Sequence, residues 1–239
     1  KKETKANGKS ITFIKETRVY DWATMLAPIF NRIRFVYMVR DPRDMSLSWK
    51  KAPALKGGIP RASSIWAEDQ AKYSLLATQL ETTTGLPIPI IKYEDLLSDP
   101  SATLTYVCST LGLEFEPGMI KFHENFSTQS NASLVAEWKN TGRPLMSNNA
   151  GKFQNELSIE EIRYIETVCS EGMKGLGYGP IQTPLSQLEF VSTKETLESQ
   201  EQWEKPDYLE LPKTERLRRN EQYSEMQRIC NRPWRDLQR

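Results

Sequence analysis

Arg40, Arg43 and Ser48 fall within one short run, Arg34-Phe35-Val36-Tyr37-Met38-Val39-Arg40-Asp41-Pro42-Arg43-Asp44-Met45-Ser46-Leu47-Ser48-Trp49. Guanidinium forks and a hydroxyl at this spacing suit an anion with several acceptor oxygens, a phosphate above all. Taken alone, the same residues also fit an arginine that meets a surface carboxylate. The local elements favour the anion. Phe35 to Val39 is a short apolar, β-branched and aromatic run, which predicts a buried strand. Arg40 to Arg43 is polar and contains Pro42, which ends the strand. From Asp44 the pattern Met45, Leu47, Ser48, Trp49 predicts a helix with an aspartate at its start. A strand that enters a helix through a tight polar loop is where open α/β sheets hold anions, since the N–H groups and dipole at the helix start favour negative charge. The stretch is a phosphate site in outline, with Ser48 one to two turns into the helix.

The surrounding pattern alternates strands and helices. Ile11-Thr12-Phe13-Ile14 predicts a short strand, and Asp21 to Phe30 a helix through Trp22, Met25, Leu26 and Ile29, capped by Asp21 and weakened at its end by Pro28. With the Phe35–Val39 strand these make a βαβ unit and imply parallel pairing. Residues 50 to 63, rich in Lys, Pro and Gly, predict either a solvated connection or a flap beside the phosphate site. Trp66, Tyr73, Leu76 and Leu80 recur at helical spacing from Ser64 to Thr82, and Ile88 to Tyr93 predicts a second buried strand. Asp99-Pro100 starts a helix with Leu104, Val107, Cys108 and Leu111 on one face, and Gly112 ends it. Residues 113 to 150 are irregular and hold His123, the sole histidine. Ser158 and Glu161 form a capping box before a helix whose core face is Ile162, Ile165, Val168, Cys169, Met173 and Leu176, with Gly175 and Gly177 at its end. Gly8-Lys9-Ser10 invites a nucleotide P-loop reading, but Glu3 stands where that motif needs a glycine.

The length of 239 residues suits one domain with a tail. Residues 1–179 are expected to form the core, and 180–239 a polar extension with a helix from Thr214 to Cys230 and with Trp203, Tyr208 and Trp234 as anchors. Mean hydropathy is −0.59, and no run of 18 apolar residues is present, so no membrane span is expected in this chain. Three scattered cysteines offer neither zinc spacing nor a disulfide framework. Cys108 and Cys169 fall on apolar helix faces and are read as core. The net charge of +1 hides an asymmetry: residues 1–61 carry 14 Lys and Arg against 5 Asp and Glu. A basic quarter suits a polyanionic ligand. It would also suit nucleic acid, but no aromatic-rich binding motif accompanies it, and no nucleic-acid partner is expected.

Val39-Arg40-Asp41-Pro42-Arg43-Asp44 followed by Ser48 resembles the 3′-phosphate-binding segment of sulfotransferases. Tyr93-Glu94-Asp95-Leu96 before an Asp-Pro helix start is similar to a second segment of that family, in which the tyrosine lies near the nucleotide. Gly151-Lys152-Phe153 before a Leu-Ser helix start resembles a third, which lies across the 3′-phosphate, with Lys in place of the commoner Arg. The resemblance runs from residue 11 to 178. It implies an α/β fold, a parallel sheet flanked by helices in the P-loop-like sulfotransferase arrangement, with an irregular C-terminal extension. It also implies sulfuryl transfer from 3′-phosphoadenosine 5′-phosphosulfate (PAPS) as co-substrate to a hydroxyl or amine of a small-molecule, carbohydrate or lipid acceptor, with no metal. Arg40, Ser48, Tyr93, Gly151 and Lys152 are then the nucleotide-binding residues.

The family's phosphosulfate loop, expected upstream of the Ile11 strand, does not precede Lys1, which reads as a fragment. If the loop is naturally absent, the alternative is a nucleotide-binding module inactive in transfer. Lys15-Glu16-Thr17 stands where cytosolic members carry Lys-Thr-His, so Glu16 is the expected base and Lys15 its neighbour at the reacting group, with His123 as the alternative base. The cytoplasm is the expected compartment, or the Golgi lumen if an anchor precedes Lys1. A kinase-like reading would need a Walker-type loop or magnesium carboxylates, and the sequence shows neither.

Overall fold

β-branched and aromatic residues flank the Arg40 corner on its N-terminal side, and the chain there forms a short strand, β1 (Tyr37–Val39). In the computed structural model, which describes residues 8, 10–29, 33–52, 55–85, 88–133, 140–201, 203 and 213–230, β1 pairs in parallel with β2 (Ile90–Lys92). The register sets Tyr37 against Ile90, Met38 against Ile91 and Val39 against Lys92. Parallel neighbours need a long crossover. Here that crossover contains two helices, α2 (Pro42–Lys50) and α3 (Gly58–Thr84). Ahead of β1 lies α1 (Tyr20–Ile29), the predicted helix begun one residue early; Phe30 lies outside the described residues. Asp21 sits in its first turn and pairs with Arg18 at 3.1 Å rather than capping it.

α3 is the spine. Its first half gives Ile59 and Trp66 to a core cluster shared with Val39, Leu47, Phe153, Ile165, Cys169 and Met173. Its second half gives Tyr73, Leu76 and Leu80 to a second cluster with Ala23 of α1. This helix starts six residues before the predicted Ser64. The loop expected over 50–63 is therefore short, because Pro60 falls in the first turn, where its missing N–H costs nothing.

After β2 follow α4 (Tyr93–Ser98), α5 (Pro100–Leu111), a 3₁₀ segment (Pro117–Glu124) and α6 (Phe126–Ala132). The Asp99 carboxylate accepts from Ala102 N at 2.9 Å, and Gly112 ends α5 in the left-handed conformation, as the sequence predicts. The region 113–150, expected to be irregular, thus holds two helical pieces. A short α7 (Phe153–Glu156) precedes α8 (Ile159–Leu176), whose start carries the predicted Ser158–Glu161 capping box. Gly172 lets α8 approach α3: a Cβ there would come within 2.8 Å of the Trp66 ring. Cys108 and Cys169 are buried and free, and burial pushes the Cys169 thiol up to about 12.

The extension holds α9 (Gln187–Ser199) and α10 (Lys213–Cys230). Leu185, Phe190 and Leu197 pack on the first core cluster, and the Phe190 ring stacks on Tyr164 at 5.1 Å. The anchors expected at Tyr208 and Trp234 lie outside the described residues. No helix among the described residues is long and apolar enough to cross a membrane.

The chain is helix-rich with a small parallel sheet, in agreement with the α/β expectation. One element differs. Residues 11–16 form no strand, and Ile11, Phe13 and Ile14 are 59%, 81% and 78% exposed. An apolar run becomes a strand only beside a ladder partner. The described residues provide none, so the βαβ unit expected through α1 is replaced by the β1–β2 pair.

Candidate functional site

The corner after β1 is tighter than the sequence predicts. Asp41, not Asp44, is the N-cap of α2; its carboxylate accepts from Arg43 N at 2.9 Å, and Pro42 takes the first helical position. The helix start therefore offers little to an anion. Pro42 has no N–H, that of Arg43 is occupied, and two aspartates sit in the same turn. Arg43 is no phosphate ligand either. It is 5% exposed, forks onto Asp41 at 2.9 and 2.6 Å, and reaches Glu166 at 2.7 Å and the Gly179 carbonyl at 3.1 Å. Burial works against its charge, but the two carboxylates outweigh it and hold its pKa above the ordinary value. The helix start and Arg43 are thus committed to the protein, which leaves Arg40, Ser48 and Lys152 as the candidate donors at this corner.

Arg40 is fixed from all sides. Trp66 of α3 donates its indole N–H to the Arg40 carbonyl at 2.9 Å, and Glu94 accepts the next N–H, that of Asp41, at 2.9 Å. The other Glu94 oxygen takes the Tyr178 hydroxyl at 2.8 Å, and burial with that carboxylate raises the Tyr178 pKa. The Arg40 guanidinium lies over the Tyr93 ring at 4.9 Å, and its Nη2 donates to the Asn149 carbonyl at 2.8 Å. Its Nε is buried and has no hydrogen-bond partner among the described residues. Buried guanidinium N–H groups are rarely left so. One edge of the fork is anchored at Asn149, and the Nε edge is left with a donor to spare.

The Gly151-Lys152-Phe153 turn is tied to the same corner. Asp44, 1% exposed, accepts Gly151 N at 2.6 Å and Phe153 N at 3.0 Å. Gly151 has φ +73°, a left-handed conformation that a side chain would strain. Asn149 closes the turn from the other side: its carbonyl takes Arg40, and its side-chain amide donates to the Tyr93 hydroxyl at 2.8 Å. Lys152 stands between the two N–H groups held by Asp44, and no ion-pair partner for its ammonium is found among the described residues. Ser48 is exposed, one turn beyond Asp44 on the same face of α2, and its hydroxyl has no hydrogen-bond partner among the described residues. Asp44 and Asn149 thus tie the turn that carries Gly151 and Lys152 to Arg40 and Tyr93, and Ser48 stands one turn along α2 from Asp44. Sequence reasoning missed Asp44 as an anchor, and also Glu94, Asn149 and Trp66. Asp44 and Glu94 lie inside the motifs themselves, but the donors they hold are far away in sequence and leave no local signal.

Lys15 and Glu16 lie elsewhere in the contact network. The Glu16 carboxylate accepts Thr17 N at 2.7 Å and Arg18 N at 3.2 Å, and these backbone bonds, Arg18 first, hold its pKa below 4.5. Thr17 offers its carbonyl to the Tyr73 hydroxyl at 3.3 Å, so this segment leans on the second core cluster. Lys15 is exposed. In the same cluster Asp69 takes the Tyr20 hydroxyl at 2.6 Å, and burial raises its pKa. His123 packs on Phe122 and stands 4.0 Å from Glu124, with no contact to Arg40, Tyr93 or Lys152. Among the described residues no group of three or more His, Cys, Asp or Glu is placed to hold a metal ion.

The sequence profile described as "Sulfotransferase family" matches residues 3–117, which include β1, the Arg40 corner and Tyr93. Carbohydrate sulfotransferase 1 of Danio rerio is 26% identical over 193 residues, covering 73% of this chain and 45% of the relative. Carbohydrate sulfotransferase 2 of Homo sapiens is 24% identical over 218 residues, covering 72% and 40%. Carbohydrate sulfotransferase 6 of Homo sapiens is 24% identical over 190 residues, covering 70% and 48%. The chain spans less than half the length of these curated relatives. The profile covers the Arg40 corner and the relatives cover most of the chain, so over these residues the chain is similar to sulfotransferases.

Proposed function

We propose that the protein transfers a sulfuryl group from PAPS to a hydroxyl of a carbohydrate. The observation that carries this reading is Arg40: anchored by Tyr93, Asn149 and Trp66, it keeps a buried Nε without a partner among the described residues. In this reading Arg40, Ser48 and Lys152 receive the 3′-phosphate. Gly151 gives the turn its left-handed backbone, and Tyr93 acts by holding the Arg40 guanidinium over its ring. The core proposed for this work is residues 1–179, with 180–239 as the extension.

The transfer itself resembles phosphoryl transfer in its demands. The acceptor oxygen forms a bond to sulfur, the bond from sulfur to the bridging phosphate oxygen breaks, and 3′,5′-ADP leaves with the electron pair. The acceptor proton passes to a base. The chain's contribution is position: a 3′-phosphate gripped by fixed cations aligns the far end of the nucleotide with the acceptor. Carbohydrate is preferred as acceptor because the relatives bear that name. The test is transfer of labelled sulfate from PAPS to a panel of hydroxyl-bearing saccharides, with phenols and amines for comparison. Labelled saccharide is the expected product. Label found only on phenols, or none on any acceptor, would contradict the reading.

Glu16 is proposed as the base, with Lys15 at the reacting group. Its backbone bonds depress its pKa, so it stays ionised at neutral pH and the acidic limb of kcat/KM is expected below pH 4.5. Glu16→Gln should lower kcat by about 10²-fold or more at unchanged nucleotide affinity. Unchanged turnover in Glu16→Gln would remove Glu16 from the mechanism.

A further inference from the structure

The extension is linked to both ends of α2, through Glu166 at its start and through the Leu55–Gly57 turn beyond its end. At the root, Arg43 of α2 donates to the Gly179 carbonyl at 3.1 Å and to Glu166 at 2.7 Å. The same Glu166 carboxylate accepts Ile181 N and Gln182 N, each at 3.0 Å. One buried carboxylate thus joins the first residues of the extension to the start of α2. The middle is fastened to α8. Leu185 N donates to Thr167 Oγ1 at 3.1 Å, and Arg163 reaches the Thr183 carbonyl at 3.0 Å and Glu189 at 3.2 Å. Glu189 also closes a capping box with Ser186, and the bonds from Ser186, with Arg163 after them, hold its pKa down at about 2.

The tip returns to the other end of α2. The Trp49 indole N–H, next to Ser48, donates to the Lys56 carbonyl at 3.2 Å. The Lys56 ammonium lies 5.4 Å from the centre of the Trp203 ring, and Glu201 accepts the N–H of Gly57, the N-cap of α3. The Leu55–Gly57 turn is therefore held by α2 on one side and by the extension's tip on the other. That turn also begins the helix whose Trp66 fixes the Arg40 carbonyl. The first half of α2 is locked by Asp41, Asp44 and Arg43; at its other end Leu47 is buried, Lys50 pairs with Glu161 at 2.6 Å, Lys51 pairs with Glu156, and Trp49 beside Ser48 is held at the Lys56 carbonyl.

We propose that Glu201 and Trp203 are positioning residues for recognition of the nucleotide's 3′-phosphate, acting through Lys56, Gly57 and Trp49 on Ser48. The extension is then a working part of the nucleotide site and not an appended tail. Its tip sets where the last turn of α2 stands relative to Arg40. Loosening it spares the anchored Arg40 and displaces the Ser48 hydroxyl, so the loss should fall on ligands that carry a 3′-phosphate.

This inference rests on the nucleotide reading proposed above. Its test is calorimetric titration of the full-length protein and its Trp203→Ala, Glu201→Gln and double variants with 3′,5′-ADP and with 5′-AMP, alongside thermal unfolding. Trp203→Ala is expected to weaken 3′,5′-ADP by about two- to fivefold and the double variant by about tenfold, with 5′-AMP unchanged. Trp203→Phe, which keeps an aromatic face for Lys56, is expected to restore most of the affinity. A double variant that binds 3′,5′-ADP as the wild type does would overturn the inference and leave the nucleotide reading intact. Equal losses for 3′,5′-ADP and 5′-AMP would overturn it too, since a general loosening does not distinguish the 3′-phosphate. A wild-type protein that binds neither nucleotide would instead remove the reading beneath it.

Discussion

Arg40→Ala is expected to weaken binding of 3′,5′-ADP by about 30-fold, equivalent to about 2 kcal/mol, the scale of a hydrogen bond to a charged group. Two features of Arg40 place the effect on binding rather than on folding. Among the described residues its side chain spends one hydrogen bond on the protein, at the Asn149 carbonyl, and its buried Nε has none. The backbone bonds that shape the corner, from Trp66 and to Glu94, involve its carbonyl and the next N–H, and both survive the substitution. Arg40→Lys is expected to recover little. A lysine ammonium keeps the charge but cannot lie flat on Tyr93 while holding Asn149 and offering a further N–H in a fixed plane. Calorimetry reads the affinities and thermal unfolding the stability; a large loss of stability in Arg40→Ala would mark the residue as structural.

Asp44→Asn is expected to have the second large effect, on stability and on binding together. The Asp44 carboxylate is 1% exposed and accepts two backbone N–H groups of the 151–153 turn. An amide of the same size presents at most one carbonyl to two donors. It leaves Gly151 N or Phe153 N unpaired in a buried setting, which costs about 1–3 kcal/mol. The turn that carries Lys152 then loosens, and the affinity for 3′,5′-ADP should fall by about tenfold at temperatures where the protein remains folded. The charge lost is an acid in the first turn of α2, where the helix dipole favours it, so the sign of the stability change is fixed from two directions. Unfolding and titration curves of Asp44→Asn that match the wild type would show that the turn is held by something other than this carboxylate.

How much of this was legible in the sequence follows from the range of the interactions. The caps at Asp99 and Ser158, the stops at Gly112 and Gly177, and the helical stripe of α3 were readable because a few neighbouring residues decide them. The strands β1 and β2 were readable as apolar runs, but their direct pairing was not, since periodicity carries no information on which strand lies beside which. Ile11-Thr12-Phe13-Ile14 has a strand's composition and no described neighbour to complete it. The Arg40 and Ser48 spacing was readable through the family's motif. The roles of the other polar residues in that motif were not. Arg43 resembles a second phosphate arginine until Asp41 and Glu166 are seen to hold it, and Asp44 resembles a helix cap until it is found 107 residues from its partner at Gly151. Such long-range pairing between a buried carboxylate and a backbone turn has no local signature. The docking of α9 was missed for a related reason: its apolar residues are few, and Leu185, Phe190 and Leu197 reach the core only because Thr167 and Arg163 hold the connecting segment in place.

The most direct measurement is a pair of calorimetric titrations of the full-length protein, one with 3′,5′-ADP and one with 5′-AMP. If Arg40, Ser48 and Lys152 receive a 3′-phosphate, 3′,5′-ADP binds at least about tenfold more tightly than 5′-AMP, the worth of one charged hydrogen bond, and Arg40→Ala removes most of that difference. Equal affinity for the two nucleotides in the wild-type protein would contradict the account.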